Sequence, residues 1–407
     1  MHESSLEPYD ALLLVSYGGP DGPDDVLPFL RNATGGAGIP DSRLEQVGGH
    51  YRLFGGVSPL NARNRELLAA LQDRLGDSID YAIGNRNWHP FFTEALTDLA
   101  DRGARRILTL FTSAYTSYSG CRQYRENLYA ALEELRSLRP EVELHLDRVR
   151  PFANTPGFIS ANAAAIAAGA AEFGNLNDTH LVFVTHSIPL DMARRSGAHP
   201  DAAAPSKPAL FDDRDHPRGM EVRHPDLPAA ALTGLLPVTR NQDVLGQGWG
   251  YLAQHLSVAH ALNLRLKAQG IALPWSLAFC SRSGPPQAKW LEPDINDHLK
   301  DLAAAGVKQV IVSPFGFISD HMEVVYDLDT EAQQTADALG LGYRRVATAG
   351  SDPVFLDTLA DLVRERAALA RGETPRLVTE LGTFPPLGEN CGTGCCQYQN
   401  IHTQKTH

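Results

Sequence analysis

Short apolar runs recur along the chain and alternate with longer stretches in which apolar residues follow a helical period. The first run, DALLLVS at 10–16, stops at the turn sequence YGGP. Runs of this kind, rich in Leu, Ile and Val, are typical of buried parallel strands. Eight strands are predicted on this basis, at residues 10–16, 80–84, 106–112, 142–149, 179–185, 275–280, 308–313 and 343–347.

Helical patterns separate these strands, for example at 61–74 and 124–138, and a further amphipathic helix is predicted at 354–371. Strands that alternate with helices form βαβ units, so the pattern predicts an α/β fold with parallel sheets. The sequence RGARRILTLFTSAYTS at 102–117 resembles AGVKQVIVSPFGFISD at 305–320. We therefore predict two similar Rossmann-like domains, each a parallel four-stranded sheet flanked by helices.

The predicted domains are residues 1–178 and 179–349, followed by a helix and cysteine-rich tail at 350–407 that packs back on the first domain. The strand ends of the two domains are expected to meet across a cleft, which is a common place for a small ligand. Residues 196–226 have no sustained period and are predicted to be a long inserted loop. The histidines in this loop lack the spacing of metal ligands and are interpreted as surface residues: His199, His216 and His224.

The stretch from Val307 to Leu341 combines a predicted strand, a break at Pro314 and Gly316, and a helix that begins at Asp320. The apolar face of this helix is predicted to consist of Met322, Val325, Ala332, Ala336 and Leu339.

On the other face of this helix, Glu323, Asp327 and Glu331 are spaced four residues apart, so a regular helix would stack them in one row. A carboxylate row after the carboxyl end of a strand lies where open α/β sheets bind their ligands. Two simpler explanations stay open at this point. Asp320 and Glu323 fit a capping box, and rows of carboxylates are commonly a solvated helix face.

Composition narrows the class of protein. The 407 residues are 43% hydrophobic and 21% charged, which describes a globular chain with a substantial core. The net charge of -12 argues against nucleic acid or an anionic membrane as the main partner. No stretch reaches the length of a membrane span, and MHESSLEPYD lacks the regions of a secretory signal. We therefore expect a cytoplasmic protein with no integral membrane segment.

Two polar residues lie where predicted strands end. His186 ends the run LVFVTH, and Tyr17 follows the first strand. A histidine beside a buried strand is usually a core residue, but strand carboxyl ends are where active sites concentrate in this architecture. Histidine also titrates near neutrality, so it can accept a proton or bind a metal.

Four motifs occur together and in order: SYGGP, YRLFGGVSPLN, THSIP and PFGFISDHMEVVYDLDTEA. With them the chain resembles the ferrochelatase family, the enzymes that insert iron into a porphyrin, from about residue 10 to 370. The resemblance implies a chelatase fold in which His186 and Glu323 line opposite sides of the metal-insertion site. It implies that His186 accepts pyrrole protons while Fe²⁺ enters as a substrate. Asp327 then belongs to a path that hands cations inward, and Glu331 is the weakest member of that row.

The resemblance is closest to the branch that acts on coproporphyrin III, because Tyr17 stands where enzymes acting on protoporphyrin usually have methionine. In that branch a tyrosine contacts the iron, and residues matching Arg31, Ser58 and Tyr124 contact propionates or the ring edge. Asn32 stands where a second arginine is expected. The expected reaction releases two protons and yields coproheme, in haem biosynthesis.

Other functions stay open. A protoporphyrin IX ferrochelatase is the nearest enzymatic alternative, and a chelatase that loads cobalt into a corrin precursor would share the fold without the carboxylate row. A non-catalytic haem or porphyrin carrier with an Fe–S sensor is the alternative that needs no base. The expected protein is a monomer that passes coproheme to the next enzyme of the haem pathway.

Three of the five cysteines crowd the end of the chain, as Cys391, Cys395 and Cys396. Together with Cys121 they would make a four-thiolate site, which holds zinc or an iron–sulfur cluster, and spacing alone does not decide between them. The family resemblance implies a [2Fe–2S] cluster, because Cys121 matches the internal cluster cysteine of the family. Cys280 lies on an apolar strand and is predicted to be a buried hydrophobe.

Overall fold

The computed structural model describes most of the chain. The described residues are 5–35, 39–196, 250–283, 288–375, 396 and 398. The predicted insertion at 196–226 lies outside them apart from its first residue, and so do Cys391 and Cys395.

The first sheet is entirely parallel and has the strand order β2-β1-β3-β4. Its strands are β1 (Ala11–Ser16), β2 (Asp80–Asn85), β3 (Arg106–Phe111) and β4 (His145–Arg148). The second sheet is also parallel, with the order β6-β5-β7-β8. Its strands are β5 (Thr179–His186), β6 (Trp275–Cys280), β7 (Gln309–Ser313) and β8 (Gly342–Arg345). The predicted fold of two parallel four-stranded sheets is therefore confirmed, and the two sheets share one order.

Helices flank both sheets. Those of the first half are α1 (Val26–Ala33), α2 (Asp41–Arg52), α3 (Leu60–Leu75), α4 (Phe92–Asp101), α5 (Gln123–Leu138) and α6 (Pro156–Phe173). The later helices are α7 (Leu190–Arg195), α8 (Tyr251–Ala268), α9 (Ile295–Ala304), α10 (Met322–Val325), α11 (Gln333–Leu339) and α12 (Pro353–Ala370). The described residues also form two π-helical turns, at Tyr118–Arg122 before α5 and at Asp327–Ala332 before α11. Within the described residues, no helix combines the length and the apolar character needed to cross a membrane.

The alternation of side chains along the strands builds separate apolar layers. Leu12 and Leu14 of β1 belong to a core that also contains Leu181 and Phe183 of β5. Leu13 of β1 faces the other way, into a second layer under α4 and α5. Residues two apart on a strand lie on the same face of the sheet, so Leu12 and Leu14 share one face of β1. This face packs in the same core as residues of β5, and the core therefore joins the two sheets.

Helix α12 packs against the first half of the chain and forms buried ion pairs with it. Glu365 lies 2.7 Å from the Nε of Arg150, and both side chains are at most 4% exposed. Arg366 of the same helix pairs with Asp147 of β4 at 2.9 Å. Each charge is compensated by a partner that is itself buried, as a low-dielectric interior requires.

The segment after β7 departs from the predicted helix. The turn Asp327–Ala332 is π-helical and separates two short α-helices. The side chains along this segment therefore do not repeat with the period of a regular α-helix, and the predicted apolar face is interrupted. Val324 and Leu328 are fully buried there, whereas the predicted core residue Leu339 is 38% exposed. The capping-box explanation for Glu323 is wrong, because the side chain that caps α10 is that of His321.

Candidate functional site

The carboxyl ends of both sheets surround one cleft, with a volume of about 1140 Å³ that includes the space at its open mouth. The first half contributes the residues after β1, β2 and β3, and the second half contributes those after β5 and β7. This is the position at which open α/β sheets bind ligands. The polar and aromatic side chains that line it include Tyr17, Tyr51, Ser58, Arg86, Tyr115, Tyr124, His186, Tyr251, His321 and Glu323.

Close packing between two strand ends sets the position of the catalytic candidates. Gly316 lies against Thr185 so tightly that an added Cβ would be 2.6 Å from the Thr185 Cα. Only glycine fits this approach, and it brings the loop after β7 against the end of β5. His186, the next residue of β5, therefore faces the segment that carries Glu323.

His186 and Glu323 form a pair at the wall of the cleft. The Nδ1 atom of His186 lies 3.1 Å from Oε2 of Glu323, and their side chains are 28% and 43% exposed. The angle at this contact is not that of a formed hydrogen bond. The backbone N–H of Glu323 donates to Nδ1 of His321 at 3.2 Å, which fixes the start of α10.

The charges of this pair shift both pKa values. Burial alone would lower the pKa of His186, but the negative charges of Glu323 and Asp327 outweigh it, so the pKa lies above its ordinary value. Burial would raise the pKa of Glu323, but the neighbouring His186 and His321 lower it to about 2. The carboxylate is therefore ionised at neutral pH, beside an imidazole that holds a proton more readily than usual.

Asp327 lies next to this pair but does not line the cleft. The hydroxyl of Ser281, at the end of β6, donates to its carboxylate in a short hydrogen bond. Burial raises the pKa of Asp327 to about 7, with a smaller contribution from the charge of Glu323 and opposition from Ser281. Glu331 is exposed on the same π-helical turn. The predicted row therefore holds one residue that lines the cleft, one half-buried residue behind it and one surface residue.

Tyr17 lines the cleft from the first half, directly after β1. Its ring meets Phe29 edge-on at 6.2 Å between centroids. Burial raises the pKa of Tyr17, although the nearby charge of Arg86 opposes the shift. The phenol is therefore neutral at physiological pH.

The predicted porphyrin contacts divide into two groups. Ser58 and Tyr124 line the cleft. Arg31 does not belong to the cleft lining, and its guanidinium pairs with Asp41 at 2.6 Å on the surface. A surface ion pair of this kind is weak, so Arg31 stays a prediction.

Sequence reasoning missed several lining residues. Arg86 follows β2 just as Tyr17 follows β1, so the strand-end rule would have found it. His321 lies inside the motif that carries Glu323. Tyr51 and Tyr251 lie on helices α2 and α8, and no local signal distinguishes them from packing residues.

The predicted thiolate site is described only in part. Cys121 is buried in the π-helical turn before α5, and Nη1 of Arg148 donates to its sulfur at 2.8 Å. Cys396 is 1% exposed, and the ring of Tyr398 lies 5.7 Å from that of Tyr118. Tyr398, two residues after Cys396, therefore contacts the turn that holds Cys121. Cys280 is buried in an apolar layer, as predicted.

Comparison with known proteins identifies the family. The family model described as Ferrochelatase matches residues 9–367. The coproporphyrin III ferrochelatase of Streptomyces griseus is 45% identical over 395 residues, which cover 96% of this chain and 93% of that protein. The ferrochelatase of Rhodopirellula baltica is 37% identical over 400 residues, covering 97% and 95%. The solved structure of SirB from Bacillus subtilis with Fe³⁺ is 11% identical, with a TM-score of 0.46 and coverage of 89% and 97%.

The sequence matches make this protein a metal-porphyrin chelatase. The chain belongs to the ferrochelatase family.

Proposed function

We propose that this enzyme inserts Fe²⁺ into coproporphyrin III, releases two protons and forms coproheme in haem biosynthesis. The observation that carries the proposal is the contact of 3.1 Å between His186 and Glu323 on a cleft that also contains Tyr17. Support also comes from curated relatives at 39–45% identity that are named coproporphyrin III ferrochelatases.

His186 is proposed to accept the pyrrole protons. The end of β5 positions its ring, and the negative charge of Glu323 stabilises a proton on the imidazole. Glu323 remains ionised because its pKa is about 2, and it can hold an incoming cation before insertion. Asp327, with a pKa of about 7, can gain or lose a proton near neutrality, which suits a relay between the pair and solvent.

Tyr17 is proposed as the contact to the iron on the other side of the macrocycle, and Ser58, Tyr124 and Arg31 as contacts to propionates or the ring edge. Four propionates favour polar and cationic neighbours, which supports coproporphyrin over protoporphyrin IX. Protoporphyrin IX remains the second candidate. Turnover of the two porphyrins by the same preparation distinguishes them.

We also propose a [2Fe–2S] cluster held by Cys121, Cys391, Cys395 and Cys396, with zinc as the alternative. The described part of the site suits thiolate ligands, because the Arg148 guanidinium donates to Cys121 and stabilises a negative sulfur. The cluster would tie the tail to the first half and so stabilise the fold. The variant Cys395→Ser should be colourless and less stable, and a brown, fully stable variant would contradict this assignment.

The remaining proposals concern the setting of the reaction. We propose that the enzyme is a monomer in the cytoplasm and passes coproheme to the next enzyme of the pathway. The net charge of -12 bears on one part of this setting, since it disfavours binding to an anionic membrane surface.

The proposed reaction is tested by an anaerobic assay with Fe²⁺ and coproporphyrin III, followed by absorbance. Wild type should produce haem-type bands, and His186→Ala should bind the porphyrin without metallating it. If wild type binds the porphyrin and never metallates it, the protein is a carrier and the proposal fails.

A further inference from the structure

The wall of the cleft formed by the first half is rich in hydroxyl groups and carries a cation. Four serine and threonine residues of the loop after β3 line this wall: Thr112, Ser113, Ser117 and Ser119. Arg86 follows β2 and is the only arginine or lysine among the described lining residues. No carboxylate of the described chain forms an ion pair with it. Its charge is therefore available to a ligand.

Aromatic rings hold the Arg86 side chain in place. Its guanidinium carbon lies 5.8 Å from the ring centre of Tyr17 and 6.0 Å from that of Tyr124. Its backbone N–H donates to the carbonyl of Ser16 at 2.9 Å, which ties the residue to the end of β1. Because two ring faces orient the guanidinium, little side-chain freedom is lost when it binds an anion.

The hydroxyl groups gather around a glycine. An added Cβ at Gly120 would lie 2.7 Å from Oγ of Ser113 and 3.1 Å from Oγ of Ser117. Oγ of Ser117 accepts a hydrogen bond from the Gly120 N–H and lies 3.3 Å from Oγ of Ser119. The absence of a side chain at Gly120 thus lets these hydroxyls approach closely. Ser113 donates its proton to the carbonyl of Tyr115, so the Ser117–Ser119 pair is the part of this group that can donate to a ligand.

The two walls of the cleft have opposite charge. Glu323 is the only carboxylate among the described lining residues, and it belongs to the second half. Arg86 and the hydroxyl loop belong to the first half. A ligand that is anionic at its edge and receives a cation at its centre is complementary to this arrangement.

We propose that Arg86 and the hydroxyl groups of the 112–119 loop form a subsite for a carboxylate side chain of the tetrapyrrole. This inference rests on the proposed function and names residues that select acidic porphyrins. The guanidinium fork binds the carboxylate through two N–H groups, and a hydroxyl of the Ser117–Ser119 pair donates to a remaining lone pair. The hydroxyls of Thr112 and Ser113 donate to backbone carbonyls and complete the wall.

The test compares wild type with Arg86→Gln, using coproporphyrin III and its tetramethyl ester. The variant should raise KM for the acid about ten-fold, because a hydrogen bond to a charged group is lost, and should change kcat little. Fluorescence titration should show the same loss of affinity for the acid and unchanged affinity for the ester. Arg86→Lys should restore part of the affinity, since it keeps the charge but not the fork.

Two further variants make the result specific. Ser119→Ala should weaken binding of the acid in the same direction, by less than Arg86→Gln. Arg63→Gln removes an exposed arginine outside the cleft and should behave as wild type. Thermal denaturation of each variant checks that the fold is retained.

Failure of this inference is distinguishable from failure of the proposed function. If Arg86→Gln binds the acid as tightly as wild type, or loses kcat with KM unchanged, Arg86 is not a carboxylate anchor even though the reaction stands. If wild type metallates protoporphyrin IX but not coproporphyrin III, the proposed substrate is wrong. In that case the free acid of protoporphyrin IX is compared with its methyl ester. If wild type binds the acid and the ester equally well, the proposed carboxylate subsite is refuted.

Discussion

Acidification should destabilise this protein through His255, a histidine on α8 with no exposed surface. Its Nδ1 atom donates to the carbonyl of Tyr251 at 2.7 Å, and its Nε2 atom lies 2.8 Å from the hydroxyl of Thr185. The hydroxyl of Tyr251 in turn donates to the carbonyl of His186 at 3.1 Å. These contacts suit a neutral imidazole and connect it to the backbone of the proposed base.

The size of the effect follows from the pKa. Burial lowers the pKa of His255 from 6.5 to about 3, although its hydrogen bond to Tyr251 opposes the shift. Because the unfolded chain titrates near 6.5, it binds more protons than the native state between pH 6.5 and 3, and stability falls as the pH falls through that window. At about 1.4 kcal/mol per pKa unit the full loss is about 5 kcal/mol, of which about 2 kcal/mol has occurred by pH 5.

Urea denaturation at pH 7.5, 6.5, 5.5 and 5.0 measures this loss. The variant His255→Gln removes the titrating group, so its free energy of unfolding should depend on pH less steeply than that of wild type by about 2 kcal/mol over this range. His145→Gln changes an exposed histidine on β4 and should keep the wild-type slope. Equal slopes for wild type and His255→Gln would refute the argument.

Three further variants test the fold and the site. Glu365→Gln should lower the free energy of unfolding by about 3–5 kcal/mol in urea, because it removes the negative charge that lies 2.7 Å from the buried guanidinium of Arg150. Glu323→Gln removes the largest contribution that raises the pKa of His186, so the acidic limb of the kcat/KM profile should move to lower pH. Gly316→Ala should destabilise the protein and lower kcat, because the added methyl would overlap the end of β5. The first expectation is contradicted if Glu365→Gln is as stable as wild type, and the second if the acidic limb of Glu323→Gln does not move. The third is contradicted if Gly316→Ala keeps the wild-type kcat.

The sheets could be predicted from sequence because a strand buried on both faces reads as a continuous apolar run. All six residues of β1 are buried, and so are the apolar positions of β7. The predicted strand at 142–149 is longer than β4, His145–Arg148, because only these residues pair with β3. Burial thus reveals where strands lie, whereas pairing decides where they end.

Two residues of the site were predictable because strand order fixes their place. Tyr17 follows a central strand of the first sheet and His186 ends a central strand of the second, so the fold places both at the cleft. The hydrogen bond from Ser281 to Asp327 joins residues 46 positions apart, and no local pattern reveals such a contact. The ion pair of Arg31 with Asp41 was missed for the same reason, since long side chains choose partners by proximity in space.

The two halves have the same strand order but different chemistry, and the difference lies after the third strand of each. In both halves a π-helical turn follows that strand, Tyr118–Arg122 after β3 and Asp327–Ala332 after β7. A π-helical turn inserts a residue into the helical period, so the side chains that follow it point in new directions. The first turn carries Cys121 behind a wall of hydroxyls, and the second carries Asp327 behind Glu323. The two turns thus follow equivalent strands but place different groups behind the cleft, a buried thiol in the first half and a half-buried carboxylate in the second.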